Sequence, residues 1–168
     1  ALWQRTTIRV RTPDEMAQYI QTALDAQSSG VARPFVIVLK QTGEIIGATR
    51  YHSIVPAHRR LEIGFTWIGL PWQRRGINTE SKYLLLKHAF EHLGCQRVEF
   101  KADSQNEPSC RALRSIGARE EGILRSYMVS ADRGSRDLVL FSIIAPEWPG
   151  VKARLQEALE RRPQEGRA

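Results

Sequence analysis

The strongest constraint on the fold of this chain is a change of hydrophobic period between residues 59 and 94. Over 59–69, apolar residues alternate with small or polar ones, as in a β-strand with one buried face. Over 78–94 the apolar residues recur at helical spacing, and Gly94 is a typical helix stop. A second alternating segment, RVEFKAD at 97–103, follows at once. A strand, a helix and a strand in this order predict a parallel, right-handed crossover unit.

The segments on either side of this unit complete an α/β pattern. An amphipathic helix is predicted over 13–27, and two β-rich runs around a Gln-Thr-Gly turn predict a hairpin after it. A short helix over 106–117, a second strand pair and a last helix over 147–162 follow the crossover unit. This order predicts one domain with a mixed sheet over 1–162 and a mobile tail over 163–168.

Composition narrows the class of protein. The chain has 168 residues, of which 42% are hydrophobic and 26% charged, as in globular proteins. No apolar run approaches the roughly 18 residues of a membrane span, and no segment has the pattern of a signal peptide. Cys95 and Cys110 have neither metal-binding nor disulfide spacing. These features predict a cytoplasmic protein with no membrane partner and no metal.

The net charge allows two kinds of partner. Twenty-five Lys and Arg residues against eighteen Asp and Glu give +7, which suits a nucleic acid or a small anionic ligand. Most of these arginines are interpreted as part of a solvated surface. A nucleic-acid surface would use Arg59, Arg60, Arg74, Arg75, Arg133 and Arg136. Because interleaved aromatic residues and a docking motif are missing, nucleic acid is the alternative and not the expected partner.

The turn between the strand and the helix of the crossover unit has the residues of an anion site. It reads WQRRGINTE, and a helix that begins near Asn78 has free backbone N–H groups and partial positive charge at its start. Gly76 allows close approach of the backbone to a phosphate, and Arg74 and Arg75 add formal charge. The spacing fits neither a P-loop nor a dinucleotide-binding turn. The turn predicts a diphosphate site, with an ordinary capped helix as the alternative.

Residues 68–78, IGLPWQRRGIN, resemble the acyl-CoA-binding signature of the GCN5-related N-acetyltransferases (GNAT). The segments LEIGFTWI, NEPSCRALRSIGAREEGILR and EWPGVKARL are similar to the RimJ/RimL group of that superfamily. The resemblance implies the GNAT fold, which is a mixed, mostly antiparallel sheet of six or seven strands with a central βαβ acyl-CoA unit and helices on both faces. The N-terminal strand of that fold is expected to be absent from this chain.

The resemblance also implies an activity. Enzymes of this kind transfer acetyl from acetyl-CoA directly to a primary amine and use no metal. The RimJ/RimL likeness points to the α-amino group of a protein as the acceptor. A small-molecule amine on the same fold, or a coenzyme-binding regulatory protein without activity, stays open. Related proteins often dimerise, but the sequence leaves the oligomeric state open.

Site residues are carried over from the family by position. Glu62 would accept the proton of the amine, and Ser109 would donate one to the leaving thiolate. An exposed strand glutamate paired with Arg59 or Arg60 is the alternative for Glu62. Plain N-capping of a helix is the alternative for Asn106. The coenzyme would be held by Trp67, Ile68, Arg74, Arg75, Gly76, Ile77, Asn78, Thr79 and Asn106.

Other residues are interpreted as structural. His52 and Tyr127 lie on strands that could border the same cleft, but a single His or Tyr is more often a half-buried structural residue. Cys110, next to Ser109, is interpreted as a small packing residue. The apolar face of the helix after the anion turn is predicted from Tyr83, Leu84, Leu86 or Lys87, Phe90 and Leu93.

Overall fold

The order of helices and strands is the one that the sequence predicts. The structure is a computed structural model that describes residues 10–130 and 134–161. The predicted tail and the place of an N-terminal strand lie outside these residues. The elements are α1 (Pro13–Ser28), β1 (Ala32–Val38), β2 (Ile45–Val55), β3 (Arg60–Ile68), α2 (Ile77–Lys87), β4 (Arg97–Asp103), α3 (Glu107–Ser115), β5 (Arg119–Ser130), β6 (Gly134–Ile144) and α4 (Trp148–Glu160).

The strands form one mixed sheet in the order β1-β2-β3-β4-β6-β5. Neighbouring strands are antiparallel except for β3 and β4, which are parallel and joined by α2. The predicted crossover unit therefore lies at the centre of the sheet. Among the described residues, no helix is long and apolar enough to span a membrane.

The two parallel strands stay together over a short distance only. Arg60–Glu62 of β3 pair with Arg97–Glu99 of β4, and no later residues of the two strands pair with each other. Beyond this point β3 remains paired with β2 as far as Ile68, and β4 remains paired with β6 as far as Asp103. The two strands therefore diverge, and a gap opens between them toward their carboxyl ends.

Two bulges shape the pairing of β2 with β3. One places an extra residue in β3 around Phe65, and the other places an extra residue in β2 around Ser53. Both residues have left-handed backbone angles, with φ of 52° and 49°. Bulges of this kind increase the local twist and redirect side chains. His52 and Glu62 lie directly opposite one another in the segment between the two bulges.

The main core lies on one face of the sheet, under α2, α3 and α4. Its largest members with under 2% exposure include Phe100, Phe141 and Tyr51, and the Tyr51 hydroxyl donates a 2.6 Å hydrogen bond to the Leu85 carbonyl in α2. Residue 50 points the opposite way from residue 51. The Arg50 guanidinium lies 5.2 Å from the ring centroid of Tyr19 in α1, so α1 covers the other face.

The predicted apolar face of α2 is wrong in part. Leu84 in α2 and Leu93, which lies beyond the end of α2, are 54% and 51% exposed, whereas Lys82 is buried. Three consecutive leucines at 84–86 fit two helical faces equally well, so the hydrophobic period could not select the correct one. The buried residues of α2 are Ile77, Ser81, Lys82, Leu85 and Leu86.

Tyr51→Phe tests the connection between β2 and α2. Because the substitution removes one buried hydrogen bond without changing the apolar ring, we expect the free energy of unfolding to fall by about 1 kcal/mol. Urea unfolding followed by circular dichroism measures this loss. Tyr83→Phe is the matched control, since no described residue bonds the Tyr83 hydroxyl. Equal losses in the two variants would contradict this role of Tyr51.

Candidate active site

The gap between β3 and β4 opens between two helix starts. In parallel strands the carboxyl ends lie at one edge of the sheet, and ligands of α/β sheets bind in the crevice outside that edge. A short connection joins the end of β3 to α2, and another joins the end of β4 to α3. The amino ends of α2 and α3 therefore stand on the two sides of the gap.

The turn before α2 has the backbone shape that an anion site requires. Arg74 and Gly76 are both left-handed, with φ of 63° and 86°. Gly76 occupies the N-cap position of α2, and no side chain caps the helix. The first backbone N–H groups of α2 are thus left without a capping acceptor. The side-chain amide of Gln73 donates a 2.9 Å hydrogen bond to the Ile68 carbonyl and holds the start of the turn in place.

Positive charge surrounds this turn. Arg74 and Arg75 are exposed, and the Arg75 guanidinium lies 5.3 Å from the ring centroid of Trp72. Buried Ile77 anchors the first turn of the helix from below, whereas Asn78 and Thr79 are half-buried. Free N–H groups, the positive end of the helix dipole and two guanidinium groups together fit a diphosphate.

The start of α3 supplies polar groups on the other side of the gap. Asn106 caps α3, and its Oδ1 accepts a hydrogen bond from the Ser109 backbone N–H at 3.3 Å, so the capping interpretation is confirmed. Within the described part of the chain, the side-chain NH₂ of Asn106 has no acceptor. Cys110 is 1% exposed and packs in the core, as the sequence predicts.

Glu62 lies at the closed end of the gap, in the last residue pair that joins β3 to β4. It is 5% exposed. Its Oε2 accepts a 2.5 Å hydrogen bond from Lys101 Nζ, and its Oε1 lies 3.5 Å from His52 Nε2. The alternative of an exposed glutamate paired with Arg59 or Arg60 is therefore wrong.

The His52 ring is held in place by its neighbours. It packs edge-on against Phe65, with the ring centroids 5.0 Å apart, and its Nδ1 lies 3.2 Å from the Ser53 hydroxyl. A Cβ on residue 64 would stand only 2.4 Å from His52 Nε2. Gly64 thus leaves the space that the imidazole occupies.

The electrostatic surroundings keep His52 neutral. Burial lowers the pKa of His52 below 6.5, and the charge of Glu62 acts in the opposite direction without reversing that shift. The positive charges of Lys101 and Arg50 lower this pKa further. At pH 7 the imidazole is therefore mostly unprotonated and has a nitrogen lone pair that can accept a proton.

Lys101 and Tyr127 complete this group of side chains. Burial lowers the pKa of Lys101, but the hydrogen bond and the charge of Glu62 outweigh it and leave the pKa raised. Lys101 Nζ also lies 5.5 Å from the ring centroid of Tyr127, which is 52% exposed. The sequence-based reasoning missed Lys101 and set His52 and Tyr127 aside. Strand alternation could have indicated Lys101, which lies on the same face of β4 as Glu99, the partner of Glu62 in the sheet.

The gap therefore has a positively charged mouth whose backbone groups suit an anion, and a closed end with groups that can accept a proton. Between them, one edge of β3 has no strand partner. An extended ligand with an anionic end can lie along that edge and place its other end beside Glu62 and His52. Over residues 10–130 and 134–161, no group of three or more His, Cys, Asp or Glu side chains could hold a metal ion.

Known proteins are similar to this chain in sequence and in fold. A family model described as the acetyltransferase (GNAT) domain matches residues 2–119. The protein p20 of Bacillus licheniformis, named an uncharacterized N-acetyltransferase, is 32% identical over 131 residues, which cover 78% of this chain and 72% of p20.

Solved structures give the same result. A GCN5-related N-acetyltransferase from Brucella melitensis has a TM-score of 0.87 at 30% identity, over 98% of this chain and 74% of that chain. RimJ of Mycobacterium smegmatis, solved in complex with CoA-disulfide, has a TM-score of 0.75 at 30% identity, over 86% of this chain and 68% of that chain. The chain belongs to the GNAT family of acetyltransferases, is similar to RimJ within it, and is an acetyl-CoA-dependent N-acetyltransferase.

Proposed function

We propose that this enzyme acetylates the α-amino group of a protein, with acetyl-CoA bound in the gap between β3 and β4. The observation that carries the proposal is the geometry of that gap. An uncapped helix start lies at its open end, and the buried Glu62 lies at its closed end. The distance between the two ends is spanned by a strand edge, which suits an extended, amide-containing ligand.

The coenzyme is held mainly by backbone groups. The N–H groups of residues 75–79 bind the diphosphate, and Arg74 and Arg75 neutralise its charge. The backbone of Trp67 and Ile68 pairs with the pantetheine arm. The free side-chain NH₂ of Asn106 donates to the same arm from the opposite side. Acetyl-CoA supplies an activated acetyl group, and the protein aligns that group with the incoming amine.

The proton of the amine goes to the His52–Glu62 pair. As the amine nitrogen bonds to the acetyl carbon, the carbon–sulfur bond breaks and one N–H proton passes to His52. The charge of Glu62 stabilises the resulting imidazolium, and Lys101 keeps the carboxylate in position. The leaving thiolate accepts a hydrogen bond from the Ser109 hydroxyl and takes its proton, which Ser109 regains from solvent, while the imidazolium of His52 releases the amine proton to solvent. A thiolate is a fair leaving group because its pKa is about 8.5.

The surface around Glu62 supports a protein acceptor. Phe65 and Tyr127, which flank the pair, are 41% and 52% exposed, and no described residue of β5 is buried. An acceptor therefore meets an open part of this face of the sheet, beside the part that α1 covers, which gives a chain terminus room to extend away from the site. A small-molecule amine is the second candidate, and it would need contacts from outside this open face.

A panel of amines separates the two acceptor classes. We expect acetyl-CoA turnover, followed by release of free thiol, to be fastest with short peptides that carry a free N-terminus. N-terminally blocked versions of the same peptides are the controls. Faster turnover with polyamines or aminoglycosides than with any peptide would contradict the proposed acceptor.

Glu62→Gln tests the proton-accepting pair. Because glutamine cannot stabilise a charged His52, we expect kcat to fall about 10²-fold or more while the affinity for acetyl-CoA is unchanged. Steady-state kinetics and calorimetry measure the two quantities. Glu99→Gln is the matched control: this neighbouring glutamate pairs with Arg97, and its loss should leave kcat within a factor of about two. A fully active Glu62→Gln enzyme would remove Glu62 from catalysis.

Gly76→Ala tests the diphosphate site. The substitution adds a side chain to a left-handed residue, which costs about 1 kcal/mol of stability and shifts the first N–H groups of α2. We expect the affinity for acetyl-CoA to fall about tenfold, measured by calorimetry. Gly94→Ala carries the same kind of backbone strain, with φ of 64° and no atom within 4 Å of the added methyl group. If both variants lose the same affinity, the turn does not bind the coenzyme.

A further inference from the structure

Lys82 is a buried cation that the proposed reaction does not use. It lies in the second turn of α2 and is 4% exposed. Its Nζ donates a 2.7 Å hydrogen bond to the Thr66 hydroxyl and lies 5.9 Å from the ring centroid of Phe100. Thr66 belongs to β3 and Phe100 to β4, and both follow the last pair that joins the two strands. The ammonium group is therefore at the gap between the diverging strands, on the helix side of the sheet.

Lys82 has few polar partners for a buried ammonium group. An ammonium group has three N–H donors, and within the described residues Thr66 is the only group that accepts a hydrogen bond from Lys82. No carboxylate in the described part of the chain pairs with it. Burial accordingly lowers the pKa of Lys82 from 10.5 to about 7. Buried charges are normally paired, so a cation in this state has an incomplete set of partners.

Two other partly buried lysines of this chain have a partner of opposite charge. Lys101 is held by Glu62 at 2.5 Å, and Lys152 is held by Glu91 at 2.8 Å. Both have a carboxylate partner although both are more exposed than Lys82. Lys82 differs from these two lysines in its place: its ammonium group borders the gap, next to Thr66, which is only half-buried. A ligand that enters the gap beside Thr66 would lie next to the N–H donors that no described residue uses.

We propose that Lys82 is part of the coenzyme site and donates a hydrogen bond to an amide carbonyl oxygen of the pantetheine arm. This inference rests on the proposed place of acetyl-CoA between β3 and β4. Pantetheine carries two amide carbonyls and no charge, so it offers the acceptors that Lys82 lacks. Lys82 thereby binds the middle of the coenzyme, whereas the turn at Gly76 binds its diphosphate.

Binding of the coenzyme should also change the protonation of Lys82. The carbonyl favours the charged form of Lys82, so coenzyme binding raises the pKa of this group from about 7. Near pH 8 the free protein has mostly neutral Lys82, and a larger fraction of Lys82 is charged in the complex. Binding therefore takes up a proton at this pH, and affinity falls as pH rises from 7 toward 9.

The pH dependence of folding stability is a second, independent test of the buried charge of Lys82. Between pH 7 and 10.5 the unfolded chain holds the Lys82 proton more tightly than the folded chain, so the contribution of this group to stability rises with pH. Below pH 7 the folded protein bears the full cost of a buried charge. Replacement by methionine removes that cost, so Lys82→Met should melt at a temperature equal to or above that of the wild type at pH 6.

The test compares Lys82→Met with the wild type, using two probes in calorimetry. Acetyl-CoA contains the pantetheine arm, and adenosine 3′-phosphate 5′-diphosphate does not. We expect the variant to lose about tenfold or more in affinity for acetyl-CoA and nothing for the nucleotide, because one charge-assisted hydrogen bond is removed. Proton uptake at pH 8, measured in buffers of different ionisation enthalpy, should disappear. Lys152→Met is the matched control and should behave as the wild type.

Three other results would contradict either the role of Lys82 or the coenzyme site on which that role rests. Unchanged affinity for acetyl-CoA in Lys82→Met removes this residue from the coenzyme site. A lower melting temperature with equal weakening of both probes shows that Lys82 only supports the fold. Failure of the wild type to bind either probe overturns the proposed coenzyme site itself, independently of Lys82.

Discussion

The divergence of the two central parallel strands is the constraint on which the rest of the structure depends. β3 follows β2 through a bulge, and β4 follows β6 in unbroken register from Arg97 to Asp103, so neither strand can turn to meet the other. Backbone N–H and C=O groups at the resulting edge need partners from a ligand or from water. The same divergence separates the starts of α2 and α3 and makes room between them. The place proposed for the coenzyme thus follows from the pairing of the sheet.

Charge is distributed differently on the two faces of the sheet at this gap. On the face opposite α2, α3 and α4, the carboxylate of Glu62 is balanced by Lys101, and His52 remains neutral and half-buried. On the face that α2 covers, Lys82 has a hydroxyl as its partner, and none of the described carboxylates pairs with it. A compensated group can exchange a proton during a reaction at little cost, whereas an uncompensated cation attracts the carbonyl groups of a ligand. The two faces therefore suit different parts of one reaction.

The sequence alone predicts the parts of the molecule that depend on local pattern. The crossover unit follows from the change of hydrophobic period, and the anion turn follows from a glycine before a helix. The grouping of His52, Glu62 and Lys101 was not predicted, because it depends on the register of three strands and on bulges at Ser53 and Phe65. These bulges involve residues with no special preference for left-handed angles, so the sequence gives no sign of them.

The burial of Lys82 shows a second limit of pattern-based reasoning. Hydrophobic periodicity counts apolar residues, so it placed the exposed Leu84 in the core and left the buried lysine out. A charged residue enters a core only where three-dimensional packing provides a reason, and that reason lies in β3 and β4, outside the helix whose hydrophobic period was read.

Residue-resolved hydrogen exchange with and without acetyl-CoA tests the central claim most directly. If the coenzyme lies between the diverging strands, exchange should slow at the N–H groups of residues 76–79 and along the unpaired edge of β3 after Glu62. Strand β1, which lies at the far edge of the sheet, should be unaffected. Protection elsewhere, with unchanged exchange at both of these segments, would contradict the account.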